Sequence, residues 1–165
     1  MNGLRVLLAA VVAAPLAAFD LTSPASADQH GASAGSVEQP AVTVYKSPYC
    51  GCCEGWIEHM KARGYAVSSH DMLDLQSVKT SARVPAELES CHTAVVGGYA
   101  LEGHVPADAV DRLLRERPDV AGLAVPGMPV GSPGMEGPNP ETYDVMTFDK
   151  TGGTSVYMSV VPTRE

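Results

Sequence analysis

The sequence predicts a single α/β domain in the order βαβ then ββα, followed by a Gly/Pro/Met-rich loop and a C-terminal β-hairpin. Three observations lead there. Short runs that alternate apolar and polar residues, the mark of half-buried strands, are separated by segments with apolar residues at helical spacing. Two Gly-Gly pairs, Gly97-Gly98 and Gly152-Gly153, divide β-rich runs where a hairpin must turn. Between them, residues 122–140 are so dense in glycine and proline that regular structure is excluded over most of their length.

The elements follow in chain order. Arg5 heads an apolar run from Val6 to Phe19 that Pro15 interrupts, and Ala25-Ser26-Ala27 has the small residues of a cleavage site. Residues 1–27 are therefore expected to be a cleaved signal peptide rather than a membrane anchor. Residues 28–40, small, polar and aperiodic, are expected to be a flexible linker, with His30 incidental to it. The domain is expected over residues 41–165. VTVY alternates as the first strand and stops at Ser47-Pro48. In CCEGWIEHMKARG, Cys53, Ile57 and Met60 fall at helical spacing with Trp56 beside them, and Gly64 ends the helix. Tyr65 to His70 forms a second strand, and Asp74 to Ala82 a short helix that stops before Pro85. HTAVVGGYALEG is a hairpin whose tight primed turn demands positive φ at its glycines. Pro106 fits the first turn of the next helix, where its missing donor costs nothing, and Val110, Leu113 and Leu114 give that helix an apolar face. YDVMTFDKTGGTSVYMSV closes the domain as the second hairpin.

The chain carries 11 Lys and Arg against 19 Asp and Glu, a formal net charge of −8. Arg5 and Asp20 leave together with the signal segment, so the acidic balance survives cleavage. Such a protein has no electrostatic footprint for nucleic acid or for an anionic membrane surface, and soluble export is expected. All four cysteines lie in the exported part. In an oxidising compartment, four cysteines would ordinarily mean two disulfides in one of three pairings.

Their spacing argues otherwise. YCGCCEGW sets Cys50, Cys52 and Cys53 within four positions at a helix start, where the macrodipole and the free backbone donors favour thiolates. Cys50 and Cys53 have C-x-x-C spacing and can close a disulfide across the first turn, whereas a vicinal Cys52–Cys53 bridge would be strained. One thiol of the three is left over.

Strand, Tyr49-Cys50-Gly51-Cys52-Cys53 and helix together resemble the thioredoxin active-site loop, with a cysteine where that family usually has proline. Thioredoxin-like proteins also carry a cis-proline just before the third strand, facing the cysteine loop; this sequence has Cys91-His92-Thr93 there. The resemblance implies that Cys91 faces the loop and supplies a fourth sulfur. Four soft thiolates are a ligand set for Cu(I), Zn(II) or an iron–sulfur centre. Met128 and Met135, on the Gly/Pro-rich loop rather than at core-periodic positions, favour copper, because thioethers select Cu(I) far more than zinc.

CGCC, ESCHTAVVGGYALEGHVP and GLAVPGMPVGSPGME, in that order between about Val42 and Tyr157, resemble the CopG-like family of periplasmic copper-resistance proteins, a metal-binding domain of unknown function. The resemblance implies a thioredoxin-like fold and a multinuclear, thiolate-bridged Cu(I) site. Cys50, Cys52, Cys53 and Cys91 match the family's cysteines, and Met128 and Met135 its Gly-Met-Pro and Gly-Met-Glu loop.

Other residues near these motifs carry separate expectations. His104, in Glu102-Gly103-His104-Val105-Pro106, is open between a metal ligand, a donor behind the ligands and a cap on the following helix. His92 adjoins Cys91 but is expected to point to the opposite side once it enters the strand. His59 and His70 are expected on the surface. Tyr49 and Trp56 are expected to pack around the loop and limit solvent access, and Met60, Met72, Met146 and Met158 to serve packing.

Three functions stay open at this level. One is a periplasmic copper-binding protein of metal resistance, possible partners being other periplasmic copper-handling proteins; a copper oxidoreductase is one form of it. The second is a thiol-disulfide oxidoreductase in which Cys50 attacks and Cys53 resolves. The third is a structural site for zinc, the less favoured metal.

Overall fold

Val42 and Val44 are fully buried and the residues between and after them half-buried, the alternation that makes Val42–Lys46 the first strand, β1. The computed structural model describes residues 39–162; the expected signal peptide and residues 28–38 of the expected linker lie outside them. Helix α1 (Gly51–Ala62) buries Cys53, Trp56, Ile57 and Met60, and Gly64, at φ +96°, lets the chain leave it. Strand β2 (Val67–Asp71) runs parallel to β1. Helix α2 (Gln76–Ser81) and a 3-10 turn at Ala86–Leu88 lead to a hairpin of β3 (His92–Val96) and β4 (Tyr99–Glu102). Its turn glycines, Gly97 and Gly98, take φ +55° and +90°, as a primed turn requires.

Helix α3 (Ala107–Glu116) begins after Pro106 and buries Ala107, Ala109, Val110 and Leu113. Strands β5 (Gly122–Ala124), β6 (Tyr143–Phe148) and β7 (Thr154–Val160) complete a seven-stranded sheet in the order β2-β1-β3-β4-β5-β6-β7. The pairs β1–β2 and β4–β5 are parallel and the other four antiparallel. Strand β5 is a short piece of sheet at the head of the Gly/Pro-rich segment. All three of its residues are buried, so it lacks the alternation that marks a half-buried strand. Gly122 can sit there because a side chain would run into the Ala100 backbone and the Phe148 ring.

The result is a mixed α/β domain. Trp56, Ile57 and Met60 of α1 and Val110 and Leu113 of α3 pack with Val44, Ala94, Leu101, Leu123 and Val145 in the main core. A smaller cluster of Val84, Leu88, Ala100, Ala124 and Phe148 forms separately. Leu101 joins the first and Ala100 the second, as neighbours on one strand must face opposite sides of a sheet. Among the described residues, no helix is long and apolar enough to cross a membrane.

His59 departs from expectation. It is half-buried, and its Nε2 accepts the backbone N–H of Ala107 at 3.1 Å. Burial lowers its pKa, which favours the neutral ring this acceptor role needs. The side chain of α1 thereby satisfies a free donor at the start of α3. His70 is exposed as expected, with its ring stacked 5.4 Å from that of Tyr45.

Candidate metal centre

The cysteines converge where β1 hands over to α1 and the chain enters β3. Cys50 is the N-cap residue of α1, with extended backbone and no side-chain capping bond; Cys52 and Cys53 occupy the first turn. Cys91 stands on a bend one residue before β3. The four sulfurs lie within 4.8 Å of one another. Cys50 and Cys53 are joined in a disulfide, their Cα atoms 5.3 Å apart, and Cys52 and Cys91 are free. Each free thiol touches one end of the bridge: Cys52 Sγ is 3.4 Å from Cys50 Sγ, and Cys91 Sγ is 3.6 Å from Cys53 Sγ.

Two histidines share the site. His104 is buried, and its Nδ1–H donates to the carbonyl of Pro133 at 2.7 Å. That bond fixes the tautomer and leaves the Nε2 lone pair 3.0 Å from Cys91 Sγ. His92 corrects the expectation drawn from strand alternation. Its Nδ1 lies 3.3 Å from Cys91 Sγ, and its ring centroid is 4.7 Å from that of Trp56 and 5.2 Å from that of His104. Because the chain bends at Cys91, the two neighbours do not alternate as they would within a strand, and both reach the same side. His92 is wholly buried, and its Nε2 has no hydrogen-bond partner.

Burial decides the protonation of these groups. It pushes the Cys91 thiol up to about 12, with the Cys52 thiol beside it adding to the rise. It pulls His92 down to about 3, reinforced by His104 and Lys79, and lowers His104 as well. At neutral pH the metal-free site thus holds a protonated Cys91 and neutral imidazoles. Neutral imidazoles are ready to ligate, whereas a cation must displace the thiol proton to bind sulfur. The donor set of up to four sulfurs and two imidazoles suits soft or borderline cations and offers little to hard ones.

The Gly/Pro/Met-rich loop covers one side of this arrangement. Pro133 holds His104, and the next residue, Gly134, packs on the first turn of α1: a Cβ there would sit 2.6 Å from the backbone nitrogen of Trp56 and would also strike the carbonyl oxygen of Cys52. Met135 follows, half-buried, with its backbone N–H on the Ser132 carbonyl at 2.8 Å. Met128 is 53% exposed and lines a groove with Met146, Glu141 and Tyr143. Trp56 is buried against the site and donates to the Val105 carbonyl at 2.8 Å. Tyr49 does not cover the loop as expected, since it is 86% exposed; it precedes the helix on a turn that points it into solvent.

The structure therefore brings Cys50, Cys52, Cys53, Cys91 and His104 together and adds His92. A warning of the last was present in the sequence, in that a cysteine placed just outside a strand need not follow its alternation.

Residues 88–135 match the family described as a protein of unknown function, DUF411. That segment contains Cys91, His104, Met128 and Met135 and stops short of the CGCC cluster. None of the curated proteins matches the chain. Two solved structures, named copper resistance protein CopG form 2 and form 1, are each 44% identical to it with a TM-score of 0.71. The alignments span 75% and 76% of this chain and the whole of each CopG chain. On that identity and coverage, the chain belongs to the CopG-like copper-resistance family.

Proposed function

We propose that the protein is a periplasmic copper-binding protein of metal resistance, holding Cu(I) in a cysteine-bridged, multinuclear site for sequestration or for interconversion with Cu(II). The observation that carries this reading is the convergence of the four sulfurs within 4.8 Å, with His104 Nε2 3.0 Å from Cys91. Three cysteines within four residues do not easily surround one tetrahedral ion, whereas thiolates shared among several Cu(I) ions can lie close together. The relatives named for copper resistance favour copper over zinc, as does the presence of two thioethers, Met128 and Met135, on the loop that covers the site. The order β1-α1-β2-α2-β3-β4-α3 supports a thioredoxin-like core. The leader-like segment supports export to the periplasm, where other copper-handling proteins would deliver or accept the metal.

The Cys50–Cys53 bridge occupies two of the four sulfurs, so full loading requires the reduced protein. The test is anaerobic Cu(I) titration of reduced, metal-free protein with elemental analysis. More than one Cu(I) per chain is expected, with loss of uptake in Cys91→Ser; no uptake by the reduced thiols sinks the proposal. One zinc ion per chain by elemental analysis of the purified protein, not displaced by Cu(I) and indifferent to Met128→Leu and Met135→Leu, supports a zinc site instead.

A second reading, a thiol-disulfide oxidoreductase, is favoured by the bridge itself, a C-x-x-C pair at a helix start. Disulfide transfer to a peptide at enzyme-like rates, unchanged by Cys91→Ser, would establish it.

A further inference from the structure

Next to Cys91 lies a buried ion pair that the metal centre does not itself use. Lys79 is the one buried residue of α2, and its ammonium meets the carboxylate of Glu102, which is wholly buried on β4. Every donor of that ammonium is taken: by Glu102, by the Ser90 carbonyl at 3.0 Å and by Thr93 Oγ1 at 3.3 Å. Glu102 also accepts the backbone N–H of Ser90 at 2.6 Å and the hydroxyl of Thr93 at 2.6 Å. Both backbone groups of Ser90 thus end on the pair. Its hydroxyl donates to the Gly127 carbonyl at 2.5 Å, at the root of the loop that carries Pro133 and Met135.

Stability is a weak reason for this arrangement. Apolar residues of similar volume often serve a fold as well as a buried ion pair, or better. A helix of six residues is not stable alone, and the side chain that α2 buries is Lys79. What the pair does hold is Ser90, the residue immediately before the bend at Cys91 and outside the β3 pairing register. A residue there has no strand ladder to set its direction.

We infer that Lys79 and Glu102 are positioning residues for the centre: they clamp Ser90 so that the Cys91 thiol stands against Cys53 and His104, and through Gly127 they tie the covering loop to the same point. The consequence for metal binding rests on the copper reading above; the consequence for the Cys91 thiol does not.

The test uses the full chain, reduced and metal-free, with N-ethylmaleimide as the probe. Cys91 is read on the tryptic peptide from Val84 to Arg112, which holds no other cysteine. The double variant Lys79→Met/Glu102→Leu replaces the pair by apolar groups. It is expected to unfold near the wild-type temperature, to alkylate Cys91 several-fold faster, and to lose about 10- to 100-fold in Cu(I) affinity against a chromophoric chelator. Glu102→Gln, which keeps the shape and an acceptor for Ser90, is expected to fall between. A folded double variant with the wild-type alkylation rate and Cu(I) affinity overturns the inference. So does a double variant that fails to fold while Glu102→Gln folds with an unchanged Cys91 rate, because the pair then serves the fold alone. If the wild type takes up no Cu(I) but the variants still speed alkylation of Cys91, the clamp stands and the copper reading falls.

Discussion

His92 shows how one bend re-aims a side chain. Within β3 it faces the same side as Ala94 and Val96, toward Trp56 and His104, and Cys91 joins it there only because the chain turns first. Its burial has a pH consequence. The unfolded ring takes a proton near pH ~6.5, the folded one only near about 3. Between those values the unfolded chain binds more protons, so the metal-free protein keeps this stability above about pH 6.5 and loses it progressively toward pH 3. The full shift corresponds to a loss on the order of 5 kcal/mol. In His92→Phe, acid unfolding followed by circular dichroism should show a shallower slope over that window. His104 makes a separate prediction: His104→Ala leaves the Pro133 carbonyl without its donor and Cys91 without its imidazole, and Cu(I) affinity should fall about 10- to 100-fold. At this scale the cysteines, the loop methionines and His104 were legible as candidates from residue type and spacing. His92 and Lys79 were not, because one depends on a bend and the other on a carboxylate distant in the sequence.

Among the elements, α1 and the loop after β5 meet backbone to backbone. Gly134 is at φ +83° with its Cα against the helix backbone. Gly134→Ala adds a strained backbone conformation to a collision with Cys52 and Trp56, and should lower stability by about 1 to 3 kcal/mol while displacing Pro133 from His104. Thermal unfolding and Cu(I) titration of the same variant check both effects. The join between α1 and α3 is milder. His59→Ala frees the Ala107 N–H and should cost about 1 kcal/mol, the usual worth of a helix cap, with no change in Cu(I) stoichiometry. Hairpin turns at the Gly-Gly pairs were readable because positive φ is a local demand. Strand β5 was hard to read because three buried residues carry no period.

At the scale of the whole domain, the centre sits where β1, α1, β3 and the loop after β5 meet, and its ligand state should feed back on stability. The Cys50–Cys53 bridge spans a sequence separation of 3, and closing so short a loop removes little unfolded-state entropy, about 2 kcal/mol at most. Reduction should therefore lower the unfolding temperature only modestly. Cu(I) bound to the folded state should stabilise it again, by about 2.7 kcal/mol when free metal reaches 100 times the dissociation constant, and raise the unfolding temperature accordingly. Calorimetry of oxidised, reduced and Cu(I)-loaded protein orders the three. The sequence by itself determined the order of the elements other than β5, the two glycine hairpins and the spacing of the cysteine cluster, because each rests on rules acting within a few residues. Only the tertiary structure decided that Cys52 and Cys91 flank the two ends of one disulfide, that His92 turns toward the sulfurs, and that Lys79 and Glu102 hold Ser90 just before the bend at Cys91. Those facts arise where segments distant in the sequence are pressed together, a condition no local pattern records.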